Sequence, residues 1–197
     1  MPKKRIYILN GHPAAKSLSK SFADLYARAA ERAGHEVRLT HLDALDFDMD
    51  FERAGYGDPK PLEPDLEQVM DDIRWCEHLV IFTPMWWGSL PAKFKGLIDR
   101  AFLPGNSFDP RHPNKFGVPA PMLTGRSARV VLTSDSPTWY LWLAHRNPVA
   151  SMLKGHILGF VGIKPVRVTQ LAPASHAKPD LVARWSRKIE ALGAGAA

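Results

Sequence analysis

The chain has 197 residues, 45% of them hydrophobic, enough for one domain that buries roughly 70% of the surface its unfolded form exposes. A lone cysteine, Cys76, excludes an internal disulfide framework and fits a reducing compartment. The net charge of +6 is uneven, because residues 43–77 carry 12 acidic against 3 basic side chains and the remainder is strongly basic.

A basic excess attracts either nucleic acid or an anionic, phosphate-bearing ligand. No recognition motif and no dense basic run beyond Lys3-Lys4-Arg5 is present. The ligand is therefore favoured, and no nucleic-acid partner is expected. The basic start imitates a signal peptide, but only Ile6 to Leu9 follow before Asn10 and Gly11, too short for its apolar region. No run approaches the roughly 18 apolar residues of a membrane span. The expectation is a cytoplasmic protein with no membrane partner.

In chain order, residues 5–10 read as a strand and 17–34 as a helix, with Leu18, Phe22, Leu25, Tyr26 and Ala29 on one face and Gly34 as its stop. Residues 36–42 alternate as a second strand, 43–64 form an acidic loop, and 65–75 are helical with Leu66, Val69, Met70 and Ile73 inward. Residues 79–83 are a continuous apolar run of the kind found in a buried parallel strand. The turn Pro84-Met85-Trp86-Trp87-Gly88 follows, and Pro91 opens a helix carrying Phe94, Leu97, Ile98, Ala101 and Phe102 on one side.

Residues 104–126 hold five prolines and read as a long connection without elements of its own. Residues 128–133 and 165–171 read as strands four and five. Residues 149–160 and the Leu181, Trp185, Ile189, Leu192 stripe read as helices. Strands alternating with helices predict an α/β fold, a right-handed doubly wound parallel sheet with helices on both faces. The small size favours strand order 2-1-3-4-5. No repeat or boundary divides residues 1–197, which read as a single domain.

Ligands of open α/β sheets sit at the carboxyl ends of the strands, and three loops are predicted to meet there. The first, Asn10 to Ser19, runs into the first helix, where Ser17 or Ser19 caps and free N–H groups favour an anion. It is not a P-loop: five residues, not six, lead from Gly11 to Lys16, and Ala15 stands where glycine is needed. No G-x-G-x-x-G is present either. The second loop is the Pro84–Gly88 turn, whose paired indoles suit a flat aromatic ligand. The third follows strand four as Thr133-Ser134-Asp135-Ser136, with Trp139, Tyr140, Trp142 and His145 beyond it; those aromatics also suit a core or a dimer interface.

The chain resembles the NAD(P)H:quinone oxidoreductases of flavodoxin-like fold, the DT-diaphorase and bacterial quinone-reductase type. The resemblance is carried by Asn10-Gly11-His12-Pro13 with Ser17-Leu18-Ser19, and by the run from Phe82 to Gly96 through Pro84-Met85-Trp86-Trp87-Gly88. Asp99-Arg100-Ala101-Phe102 and the stretch from Leu158 to Ile163 also match, so it spans nearly the whole chain. It implies a bound flavin, hydride transfer from NAD(P)H as co-substrate to a quinone or similar acceptor, and a homodimer with the site at the interface. It implies no metal.

Carried over by position, His12, Ser17, Leu18 and Ser19 hold the flavin phosphates. Pro84, Met85, Trp86, Trp87 and Gly88 line the ring, and Thr133, Ser134 and Asp135 reach its polar edge. Two departures stand out. Asp135-Ser136 replaces a Gly-Gly pair common in the family, which sets a carboxylate where a reduced ring gathers negative charge. The family's Tyr/His pair matches Tyr140 and His145, the expected catalytic residues, only with a one-residue shift. Chain length and the 43–64 insertion resemble the FAD-using members, which implies FAD ahead of FMN. Two rival readings are a flavin-binding regulatory subunit of a partner protein, with residues 104–126 as its contact, and a one-electron carrier resembling flavodoxin. The basic balance and the Trp86-Trp87 pair, in place of an acidic docking rim, disfavour the carrier.

Overall fold

A computed structural model describes residues 2–53, 55 and 57–196. Five parallel strands form its main sheet: β1 (Arg5–Asn10), β2 (Glu36–His41), β3 (His78–Pro84), β6 (Ser127–Thr133) and β7 (Val166–Leu171). Their order is β2-β1-β3-β6-β7, the predicted 2-1-3-4-5 arrangement. A short antiparallel pair, β4 (Phe108–Asp109) with β5 (Ala120–Pro121), lies between β3 and β6 in the chain.

All seven residues of β3 are buried, as expected of a central strand covered on both faces. Side-chain alternation divides the core. Tyr7, Leu9, Leu79, Ile81 and Val130 face the helices α2 (Pro64–Trp75), α3 (Ala92–Ala101) and α5 (Pro148–Ser151). Ile6, Ile8, Val80, Phe82 and Val131 face α1 (Leu18–Arg32) and α6 (Pro179–Ala194). Burying each such Leu, Ile, Val or Phe contributes roughly 1.5–3 kcal/mol. The predicted inward residues of α2, Leu66, Val69, Met70 and Ile73, are all in this core.

Helix α1 starts and stops on recognisable chemistry. The Ser17 hydroxyl accepts from the Lys20 N–H at 3.1 Å, a side-chain N-cap. At the other end Gly34 takes φ 87° and donates to Glu31 O while His35 donates to Ala30 O, a pattern that needs a residue free to adopt positive φ.

Four expectations are corrected. Residues 138–145 form a helix, α4 (Thr138–His145), instead of continuing the loop after the fourth strand. Its sequence is apolar on nearly every side, so no helical period marks it. Residues 104–126 contain the β4–β5 pair, which at two residues per strand is too short to show alternation. The helix expected over 149–160 is instead α5 followed by a π-helical stretch, Met152–Ile157, a widened turn that shifts the register of the apolar positions. The second strand also ends one residue early, at His41, where a 3-10 turn Leu42–Ala44 begins.

Candidate active site

The three loops do converge at the carboxyl ends of β1, β3 and β6. Gly11 N–H donates to Phe82 O at 2.7 Å, Met85 N–H donates to Thr133 O at 2.8 Å, and the Ser19 and Thr133 hydroxyls lie 3.4 Å apart. Between them opens a cleft of about 270 Å³. His12, Ser17, Leu18 and Ser19 line one side, Pro84, Met85 and Trp86 another, and Thr133, Ser134 and Asp135 a third. Lys16, Ala174 and Ser175 also border it and were not anticipated; the last two stand just beyond β7.

Trp87 and Gly88 do not border the cleft. They form the tip of a tight turn in which Trp86 and Ser89 exchange backbone bonds of 3.0 and 2.9 Å, and the Trp87 side chain stands wholly in solvent. Because the Met85 N–H donates to Thr133 O and the Trp86 N–H to Ser89 O, the wall consists of the proline ring, the methionine chain and one indole. Backbone donors contribute little there. The Trp86 indole meets the His12 imidazole edge-on at 5.5 Å.

The donors lie on the other side. Among the described residues, the N–H groups of Leu18 and Ser19 make no hydrogen bond, as first-turn amides of a helix do not within their own helix. They point, with the positive end of the helix dipole, toward any anion in the cleft. His12 accepts the Ala14 N–H at Nδ1, 3.0 Å away, which in the neutral ring leaves the proton on Nε2. Partial burial lowers its pKa from the ordinary histidine value, opposed by Asp43, so the ring is neutral at pH 7. Lys16 adds a cation.

Asp135 does not confront the cleft as a free charge. Its two oxygens accept from the Ser175 N–H and hydroxyl, each at 2.7 Å. These bonds hold the carboxyl below its usual pKa. The bridge joins the loop after β6 to the loop after β7, beside the backbone bonds Ser134 N to Leu171 O and Ala174 N to Ser134 O. Tyr140 and His145 form a pair of their own on α4, with Tyr140 Oη 3.3 Å from His145 Nε2 and ring centroids 5.2 Å apart. Neither borders the cleft.

Known proteins resemble this chain over most of its length. YcaK of Escherichia coli K12, named an uncharacterized NAD(P)H oxidoreductase, is 26% identical over 178 residues, 87% of this chain and 85% of its own. The FMN-dependent NADH:quinone oxidoreductase of Nitratidesulfovibrio vulgaris strain DP4 is 26% identical over 189 residues, covering 89% and 88%. The solved NAD(P)H:quinone oxidoreductase of Methanothermobacter marburgensis superposes with a TM-score of 0.78 at 21% identity, over 99% of this chain and 98% of that one, a likeness of fold. The profile of proteins with a flavodoxin-like fold matches residues 4–192, and with the 2-1-3-4-5 sheet beneath the cleft it makes this chain a member of that family.

Proposed function

We propose that this chain is a flavin-dependent oxidoreductase that passes a hydride from NAD(P)H to a quinone or similar acceptor. The observation that carries the reading is the cleft itself, in which unpaired first-turn amides of α1 face an indole and methionine wall across a strand-end crevice. That donor set fits a phosphate, and the wall fits a flat ring. The names of the Escherichia and Nitratidesulfovibrio relatives support the same chemistry.

A bound flavin supplies the hydride acceptance and donation. The chain supplies binding and orientation. Leu18 and Ser19 N–H, the Lys16 ammonium and the His12 Nε2–H hold the phosphate; Pro84, Met85 and Trp86 flank the ring; Thr133 and Ser134 meet its polar edge. Asp135, bonded to Ser175, acts as a brace of the cleft wall. Tyr140 and His145 stand away from the cleft lining, so the reading assigns them no part in the transfer within one chain.

FMN takes the place of FAD as the expected flavin. The Nitratidesulfovibrio relative is named for FMN, and none of the described residues of the 43–63 insertion borders the cleft. Residues 1–197 are taken as one flavin-binding domain. A homodimer is part of the reading, with Tyr140 and Leu143, exposed apolar side chains on α4, against the second copy. Cys76, buried and unpaired, suits the cytoplasm, and no described helix is long and apolar enough to cross a membrane.

Chromophore released from the purified protein, identified by mass, tests the flavin assignment. FMN is expected. A protein that carries no flavin and binds none of the FMN added to it overturns the reading.

A further inference from the structure

We propose that a groove adjoining the cleft is a binding site for a flat aromatic cation. The groove lies between α4 and the segment after β7, and its volume of about 700 Å³ is within the range of roughly 300–1,000 Å³ typical of small-molecule sites. It is separate from the cleft and meets it only at Asp135.

Two indoles form its wall. Trp139 and Trp142 are three residues apart on α4, hence on one side of the helix, and each is 66% exposed. Tyr140 and Leu143, also exposed, belong to the other side and do not border the groove. Pro137 and Pro173 supply stiff apolar surface near the indoles.

The polar groups share one character. The Asp135 carboxylate is fixed at the rim by its two bonds to Ser175. Asn147 donates its amide N–H to Gln170 at 2.9 Å, and its Oδ1 is buried without a partner among the described residues. Of the residues around the groove none is lysine, arginine or histidine, and its side-chain donors are neutral, the Thr138 hydroxyl and the two indole N–H groups. The groove thus offers π faces and a negative charge.

A ring bearing delocalised positive charge gains from both, through cation–π attraction to the indoles and Coulomb attraction to the carboxylate. An anionic ring of the same shape meets repulsion from Asp135 and negative ring faces. The whole chain carries a net charge of +6, which favours anions in general, so a preference for cations must originate locally. The claim stands on the groove alone, whether or not the cleft takes a flavin.

Equilibrium dialysis of the purified protein, without NAD(P)H, against methylene blue and against anthraquinone-2-sulfonate tests it. The first is a planar cation and the second a planar anion. One methylene blue site per chain is expected, at least about tenfold tighter than the anion. Trp142→Ala should weaken methylene blue about tenfold, Trp142→Phe only about threefold, and Asp135→Asn should weaken the cation while moving the anion by less than about twofold. Trp142 is largely exposed, so its truncation leaves the core intact. Equal affinity for the two probes, wild-type dye binding by Trp142→Ala, or competitive displacement of the dye by FMN would overturn the proposal.

Discussion

The carboxylate of Asp135 takes both the backbone N–H and the hydroxyl of Ser175, at 2.7 Å each, and thereby fastens the loop after β6 to the loop after β7. Asp135→Asn weakens that fastening. Because the two bonds depress the carboxyl pKa, the folded value lies below the unfolded one of about 3.9. Stability from a depressed pKa is present above the unfolded value and lost as pH falls through the folded one. The exposed setting keeps the difference between wild type and Asp135→Asn at about 0.5–1 kcal/mol near pH 7. Urea unfolding at pH 7 and pH 3 should show that gap and then its narrowing. A gap unchanged at pH 3 contradicts the assignment.

Gly11 sits where the loop after β1 crosses the buried ring of Phe94. A Cβ there would stand 2.7 Å from Phe94 Cδ1, and the ring, 1% exposed, has no room to retreat. Gly11→Ala is expected to cost about 1–3 kcal/mol as an overpacked core position. It should also weaken FMN binding, since the loop carrying His12 and Lys16 has to move. Thermal unfolding and an FMN fluorescence titration check the two effects separately.

Trp87 holds φ 52° and Gly88 φ 69° between the paired residues Trp86 and Ser89. A tight hairpin of this kind prefers Asn-Gly at its tip, and a bulky residue at positive φ is strained by about 1 kcal/mol. Trp87→Asn should therefore stabilise the protein by about 0.5–1 kcal/mol. The Trp87 indole stands in solvent, next in the chain to the Trp86 wall of the cleft. The same variant is expected to raise the KM for quinone several-fold without lowering flavin content.

Arg100 is completely buried on α3 and fastens the acidic segment before α2. It donates to Pro61 O at 2.8 Å, to both Glu63 oxygens at 3.0 and 3.1 Å, and to Asp48 O. Arg100→Met removes those bonds together and should cost about 3 kcal/mol. Limited proteolysis is expected to cut first within residues 43–63 in the variant and not in wild type.

Much of the sheet was legible because β1, β3 and β6 are nearly unbroken apolar runs between turn residues, and short chains with such strands have few topologies open to them. The cleft was legible for the same reason, since His12, Pro84 and Thr133 each stand at the carboxyl end of a recognisable strand. What escaped notice lacked a local signal. α4 is apolar all round and buries only Leu141, so it shows no amphipathic stripe. Ser175 has meaning only through Asp135, forty residues earlier in the chain, and a long-range side-chain bond leaves no pattern in either neighbourhood. The paired tryptophans read as one ring-binding unit, yet the turn sends Trp86 to the cleft and Trp87 to solvent, a division decided by backbone φ that residue type alone does not reveal.

The central claim is tested most directly by the anaerobic absorbance spectrum of the FMN-loaded protein. On addition of NADH or NADPH the flavin bands should bleach, and on addition of a quinone they should return, over repeated cycles. A spectrum that stays unchanged with both nucleotides, in protein shown to hold FMN, would contradict the account.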